Sequence, residues 1–332
     1  MELPSQNDYV ETYFTLFEQF QQVQDRPASR GRSYTYEDQI LIIFFTMMMI
    51  KRITAFKAQH RWLSRHPKEA QRLGIEIVPH RTTLSRRFKR LCETIQVFTF
   101  YVGWWAETLS PVFRSRMLVE DASLFKALGP VWHQSDRKVN RIPEKLRHLD
   151  THASWGKSAY HGWVYGYCLH LTCNHAGFPK LVQVETASLD ESHVLEHKSE
   201  MIFQLDPQAL TADNAYHKAM RVRNWAKAGV LLLTPAATWK NGRYAQAYHQ
   251  LIKKPPFREW LACRKVAIEP VFDLFAKVLG TANNQKQLPV QGLANVRTFL
   301  SLGVLAVQMA MIINNVWHLP FRQISNILTV FN

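Results

Sequence analysis

The chain has 332 residues, 47% of them hydrophobic and 20% charged, enough apolar material for a sizeable core and too much for a disordered protein. Its 41 Lys and Arg stand against 26 Asp and Glu, a formal charge of +15, which favours a polyanionic partner, nucleic acid before an anionic membrane. The apolar stretch Ile40–Ile50 is too short to span a bilayer. Phe299–Val316 is interrupted by Ser301, Gln308, Asn314 and Asn315, so both read as buried core helices and no membrane is expected. The acidic, polar N-terminus shows no signal-peptide pattern. Four cysteines without scaffold-like density point to a reduced protein, expected in the cytoplasm on the nucleoid.

Residues 1–112 read as helical throughout and basic. Tyr9–Gln22 carries apolar residues at helical spacing, and Tyr36–Ile50 is strongly apolar. Between Lys51 and Arg90 there are twelve Lys or Arg and two acids, Glu69 and Glu76. Within that stretch, 78–91 has a turn signal at Pro79, a cap candidate in Thr82 or Thr83, and Leu84, Phe88 and Leu91 on one helix face. Arg86, Arg87, Lys89 and Arg90 project from the other side, with Arg81 just ahead. An apolar stripe for docking and a cationic face for phosphates and base edges make a helix-turn-helix-like DNA-binding segment.

From residue 113 to 332 the pattern becomes mixed α/β. Met117–Asp121 reads as a strand ending in acid. Gly162–Thr172 and Lys180–Ala187 flank a turn at Asn174–Pro179 and form an antiparallel hairpin. Asp190 caps a helix reaching about Leu205. Ala209–Asp213 is a second strand ending in acid, Tyr216–Ala228 an amphipathic helix stopped at Gly229, and Val230–Thr234 a buried strand. After a basic loop come helices at Ile268–Leu279, opening on Glu269, and at Ala294–Val316. The order implies a five-stranded mixed sheet flanked by helices.

Asp121, Asp213 and Glu269 stand out as acids in a basic, apolar context, separated by 92 and 56 residues. Two carboxylates at the ends of adjacent strands repel unless a cation lies between them. Hard oxygen ligands suit Mg²⁺ or Mn²⁺, and two such ions can drive an in-line phosphodiester displacement. Glu120 is expected on the opposite strand face from Asp121. Glu259 lacks a following apolar helix pattern, and Asp273 lies one turn from Glu269.

Cys168, His170, Cys173 and His175 mimic zinc ligands. Their parity along a strand does not match paired zinc spacing, so they read as residues of the hairpin, with His161 and His170 able to face DNA. Residues 129–160 mix Arg137, Lys138, Arg141, Lys145, Arg147 and Lys157 with Trp132 and Trp155, as in a flexible segment that orders on DNA. From 236 to 268 there are seven cations and one acid, Glu259; Trp239 and Tyr244 there could stack on an unpaired base or pack on the core.

Four segments, VEDASLFKAL (119–128), GWVYGYCLHLTCNHAGFPKLVQVETASLDESHV (162–194), ALTADNAYHKAMRVRNWAKAGVLLLTP (209–235) and RKVAIEPVFDLFAKVLG (264–280), resemble in order the blocks of DDE transposases of bacterial insertion sequences. The resemblance implies an RNase H-like catalytic core over 117–316. It carries Asp121, Asp213 and Glu269 over as a metal-binding triad, with Tyr216 and Phe272 in companion positions. Ala215 stands where the family has glycine. Lys265, with Arg264 beside it, stands where the family has an arginine, and Lys277 lies eight residues after the glutamate rather than seven. The implied activity is binding of terminal inverted repeats, then cleavage and strand transfer of double-stranded DNA by a homodimer with two Mg²⁺ or Mn²⁺ ions. Arg264, Lys265 and Lys277 would hold DNA, and no small-molecule substrate is implied.

Overall fold

The computed structural model describes residues 3–24, 35–158, 162–236, 242–282 and 285–332. In chain order the helices of the first part are α1 (Gln6–Val23), α2 (Asp38–Ile50), α3 (Phe56–Arg65), α4 (Pro67–Arg72), α5 (Arg81–Arg90) and α6 (Cys92–Trp105). Then come β1 (Met117–Lys126), α7 (Gln134–Lys138), β2 (Ser154–Ser158), β3 (Gly162–Asn174), β4 (Pro179–Thr186), α8 (Glu191–Gln204), β5 (Ala209–Thr211), α9 (Ala219–Lys227) and β6 (Leu231–Leu233). The last elements are α10 (Arg243–Ile252), α11 (Phe257–Leu279), α12 (Leu293–Val316) and α13 (Ser325–Phe331). These divide into two units: Met1–Val102 with Lys126–Ala153 and Leu274–Asn332, and Gly103–Phe125 with Ser154–Asp273.

The first unit is helical and is built around α2 and α12, whose apolar side chains are buried almost all round. By length and composition α12 could cross a membrane, but 94% of its apolar window is buried inside the protein. Three of its polar residues are structural. Thr298 Oγ1 donates to Phe88 O (2.9 Å) and Gln308 Nε2 to Thr99 O (2.8 Å), while Asn314 Nδ2 closes the turn beyond the helix on Gln323 O (2.8 Å). Each bond satisfies a group that would otherwise be buried at a cost of about 1–3 kcal/mol. Rings of Tyr13, Phe17, Phe20 and Phe98 meet edge-on or tilted, with centroids 4.8–5.8 Å apart.

Helix α5 docks as its stripe requires. Leu84 and Phe88 are buried, and Phe88 meets Phe45 and Phe56 at 4.9 and 5.5 Å. It starts one residue before the expected Thr82 or Thr83 cap: His80 takes that position, its ring accepting Thr82 N at 3.4 Å. His60 on α3 meets Pro79 O at 3.0 Å and ties the two helices together.

The second unit holds the sheet. Five strands run in the order β4-β3-β1-β5-β6, and β2 is a sixth, paired with β3. Strands β1, β5 and β6 are parallel, with Met117↔Ala209 and Ala209↔Leu231 in register. His175, just past β3, donates its N–H to Met117 O at the start of β1, so β3 runs against β1. Strand β4 pairs antiparallel with the second half of β3. With helices α8, α9 and α11 alongside, this is a mixed α/β unit with the strand order of an RNase H-like core.

The sixth strand was not expected. Residues 154–158, read as part of a flexible stretch, pair with Gly162–Gly166. Gly156 permits this, because a Cβ there would sit 2.5 Å from Ala187 O. The rest of the stretch is also packed: Trp132 is 6% exposed and donates to Arg141 O (3.0 Å), and Arg141 pairs with Asp136. The expected basic loop after β6 is instead largely helical, because Ala245, Tyr248 and Ile252 of α10 bury against Ala209 and Leu233. Helix α11 therefore begins at Phe257. Glu269 lies in its interior, followed by Pro270, rather than at its start.

Candidate active site

Strand β1 continues past its pairing with β5, which ends at Val119↔Thr211. Asp121 is therefore inside the strand, two residues beyond the segment paired with β5. Asp213 follows β5 by two residues and caps the 3-10 turn Asn214–Tyr216, accepting Ala215 N at 2.8 Å. Both acids thus lie past the carboxyl ends of adjacent parallel strand segments, where open sheets present groups to ligands.

The alternation of β1 separates two neighbouring acids. Glu120 is fully buried and holds both carboxylate oxygens on Lys198 Nζ of α8 at 2.8 Å, while Thr172 Oγ1 of β3 donates to it at 2.5 Å. Asp121 faces the other way, half-buried, with Oδ2 3.1 Å from Arg264 Nη1 of α11 and Oδ1 accepting Ala122 N at 2.9 Å. Burial raises the Asp121 carboxyl above the usual range, Ala122 and Arg264 oppose this, and the charges of Asp213 and Glu269 add to it. The other two sequence-predicted acids therefore both bear on Asp121.

A fourth acid was missed. Glu191, the first residue of α8, has its carboxyl pushed up to about 7 by burial, then by Asp213, Asp121 and Glu120, with the Tyr216 hydroxyl pulling the other way. The sequence marked Asp190 as the cap, and it is one, accepting Ser192 N at 2.9 Å and His193 N at 3.3 Å. That Asp190-Glu191 pair, directly after the hairpin, was the available signal. Arg221, only 3% exposed, fixes the arrangement. It donates to Tyr216 O (2.6 Å), Ser192 O (2.8 Å) and Glu196 Oε1 (2.5 Å), joining the turn after Asp213 to the first turn of α8.

Glu269 and Asp273 are both exposed on α11. Hard carboxylate oxygens are the right donor type for Mg²⁺ or Mn²⁺. Among the described residues, however, no three His, Cys, Asp or Glu side chains are grouped so as to hold a metal ion. The zinc-like run is core instead: Cys168, His170 and Cys173 are buried and only His175 is exposed. His170 has neither ring nitrogen hydrogen-bonded, and burial with the Lys198 charge holds its value down to about 3. It stays neutral and does not face DNA as expected. His161 and Trp239 lie outside the described residues.

Of the cations expected on DNA, Arg81, Arg86, Lys89 and Arg90 are exposed along α5. Arg87 turns inward instead, 6% exposed and paired with Asp38 of α2. Lys265 and Lys277 are exposed on α11, and Arg264 is engaged with Asp121. Tyr244 packs against the α10 cluster with the Arg223 guanidinium 6.0 Å from its ring centroid.

The chain is similar to a solved structure titled as the crystal structure of a pre-cleavage Mos1 transpososome. The two are 12% identical over 83% of this chain and 87% of that one, with a TM-score of 0.22. A likeness at that TM-score decides neither fold nor function. No family model matches the chain, and no curated protein matches it.

Proposed function

We propose that the chain is a transposase that cuts double-stranded DNA at the ends of an insertion sequence and joins the exposed 3′-hydroxyls to a target. The observation that carries this reading is that Asp121 and Asp213 each follow by two residues the paired ends of the adjacent parallel segments of β1 and β5, with the charges of Asp213 and Glu269 both bearing on the Asp121 carboxyl. The ordered resemblance of four sequence blocks to DDE transposases supports it, as does the charge of +15. In this reading the outward cations of α5 bind terminal inverted repeats, and a homodimer brings two ends together. Mg²⁺ or Mn²⁺ is the cofactor class that the carboxylates suit, although they do not form a ligand set as they stand. What the chain's own residues do is narrower: Arg264 fixes the Asp121 carboxylate, and Arg221 holds the turns bearing Asp213 and Glu191 together.

The test uses purified full-length protein, Mg²⁺ and a duplex carrying the ends of the element that encodes it. Wild type should nick the end and join it to a plasmid, and Asp121→Asn, Asp213→Asn and Glu269→Gln should each lower both steps by at least ~10³-fold. Joining that persists in all three variants would refute the assignment. The ion pair between Arg264 and Asp121 also favours a second reading, a DNA-binding protein without chemistry. That reading requires repeat-specific binding by wild type with no metal-dependent nicking.

A further inference from the structure

A cleft of about 610 Å³ in the helical unit lies where the end of α5 meets the first turns of α6 and α12. Its walls carry three cations, Lys89, Arg90 and Arg297, with Gln96 as a neutral donor and Glu93 as the single acid. The cations therefore outnumber the acid by two. Lys89 and Arg90 are exposed, and among the described residues no ion pair holds either. Arg87, between them and Arg86 in sequence, is consumed by Asp38. Thr298, next to Arg297, bonds α12 to the last turn of α5 through Phe88 O, which ties the backbone beside Arg297 to that leading into Lys89 and Arg90.

We infer that this cleft seats a backbone phosphate of the DNA that α5 engages, with Arg297 as the anchoring residue. The inference rests on the DNA-binding reading above and extends the interface to α12, 207 residues from Arg90 in sequence. A guanidinium can hold a phosphate through two parallel hydrogen bonds, and Lys89 and Arg90 add charge at the rim. The outward row of Arg81, Arg86, Lys89 and Arg90 runs into the cleft, so a duplex along α5 brings its backbone there. A phosphate contact adds affinity without sequence preference.

The test is anisotropy of a labelled random-sequence duplex bound by the full-length chain over a series of KCl concentrations. Wild type, Arg297→Gln, Arg297→Lys, Lys89→Gln with Arg90→Gln, and Arg81→Gln with Arg86→Gln are compared, each checked for an unchanged melting temperature. Loss of one phosphate contact should lower the slope of log K against log salt by about one in Arg297→Gln. Arg297→Lys should recover part of it. The Lys89/Arg90 pair, at exposed positions, carries the same expectation should Arg297→Gln fail to fold. A wild-type slope in both cleft variants, with weakened binding in the Arg81/Arg86 variant, overturns the cleft and leaves DNA binding standing. No duplex binding by wild type overturns both. Protection of wild type but not Arg297→Gln by millimolar inorganic phosphate, with duplex binding unaffected by the substitution, would assign the cleft to a small anion and overturn the inference.

Discussion

Lys198→Met should destabilise the sheet-bearing unit by about 3–5 kcal/mol, the usual cost of stranding a buried charge. Lys198 and Glu120 are both fully buried; the ammonium bonds both carboxylate oxygens, and the Thr172 hydroxyl donates to the same carboxylate. Burial alone lowers the Lys198 value and raises that of Glu120, and the pairing opposes both shifts. Removing the ammonium leaves a carboxylate with one hydroxyl donor in an apolar layer, next to the chain position of Asp121. The expected result is a drop of roughly ten degrees in the melting transition. Glu120→Gln combined with Lys198→Met removes both charges and should restore most of it. A single variant as stable as wild type would mean that water reaches the pair and that it does not fix α8 against β1.

Glu191→Gln should make the protein more stable at pH 8 and leave it little changed near pH 4. The Glu191 carboxyl moves from the usual 4.5 to about 7 on folding. Such a group favours the fold while it is protonated; that contribution is complete below pH 4.5 and is lost as the pH rises through about 7. Wild type should therefore weaken relative to the glutamine variant across pH 4.5–7, by about 1–3 kcal/mol once its partial exposure is allowed for. Urea midpoints of the two proteins at pH 4.5, 6 and 8 measure this directly. A constant difference would remove Glu191 from the group of acids around Asp213.

Much of the fold was legible because its elements obey simple periods. The apolar run of α2, the hairpin around Asn174–Pro179 and the Asp190 cap each follow from local pattern, and each is present. Helix α10 and the early start of α11 were not legible, since 236–268 carries many cations and its apolar residues bury only against β5 and β6. Strand β2 was hidden for a similar reason: its pairing depends on Gly156 passing close to Ala187, a contact without local signature. At the site, Asp121 and Asp213 were visible as acids beside apolar strands. Glu191 was masked by its neighbour, because a helix cap explained the Asp190-Glu191 pair without any further role. Arg87 shows the converse limit. Helical spacing placed it with the outward cations, whereas Asp38, 49 residues away in sequence, pairs with it inside.

The Arg221 clamp has a consequence for how this unit opens in time. One guanidinium holds the carbonyls of Ser192 and Tyr216, so neither turn can fray without releasing the other. The amides of Ser192 and His193, which donate to Asp190, and that of Ala215, which donates to Asp213, belong to the two turns so joined. They should exchange with solvent deuterium as one cooperative group, with a shared opening free energy. In Arg221→Met the two sets should uncouple and exchange at separate, faster rates, and the acids at Glu191 and Asp213 would then lose their common frame.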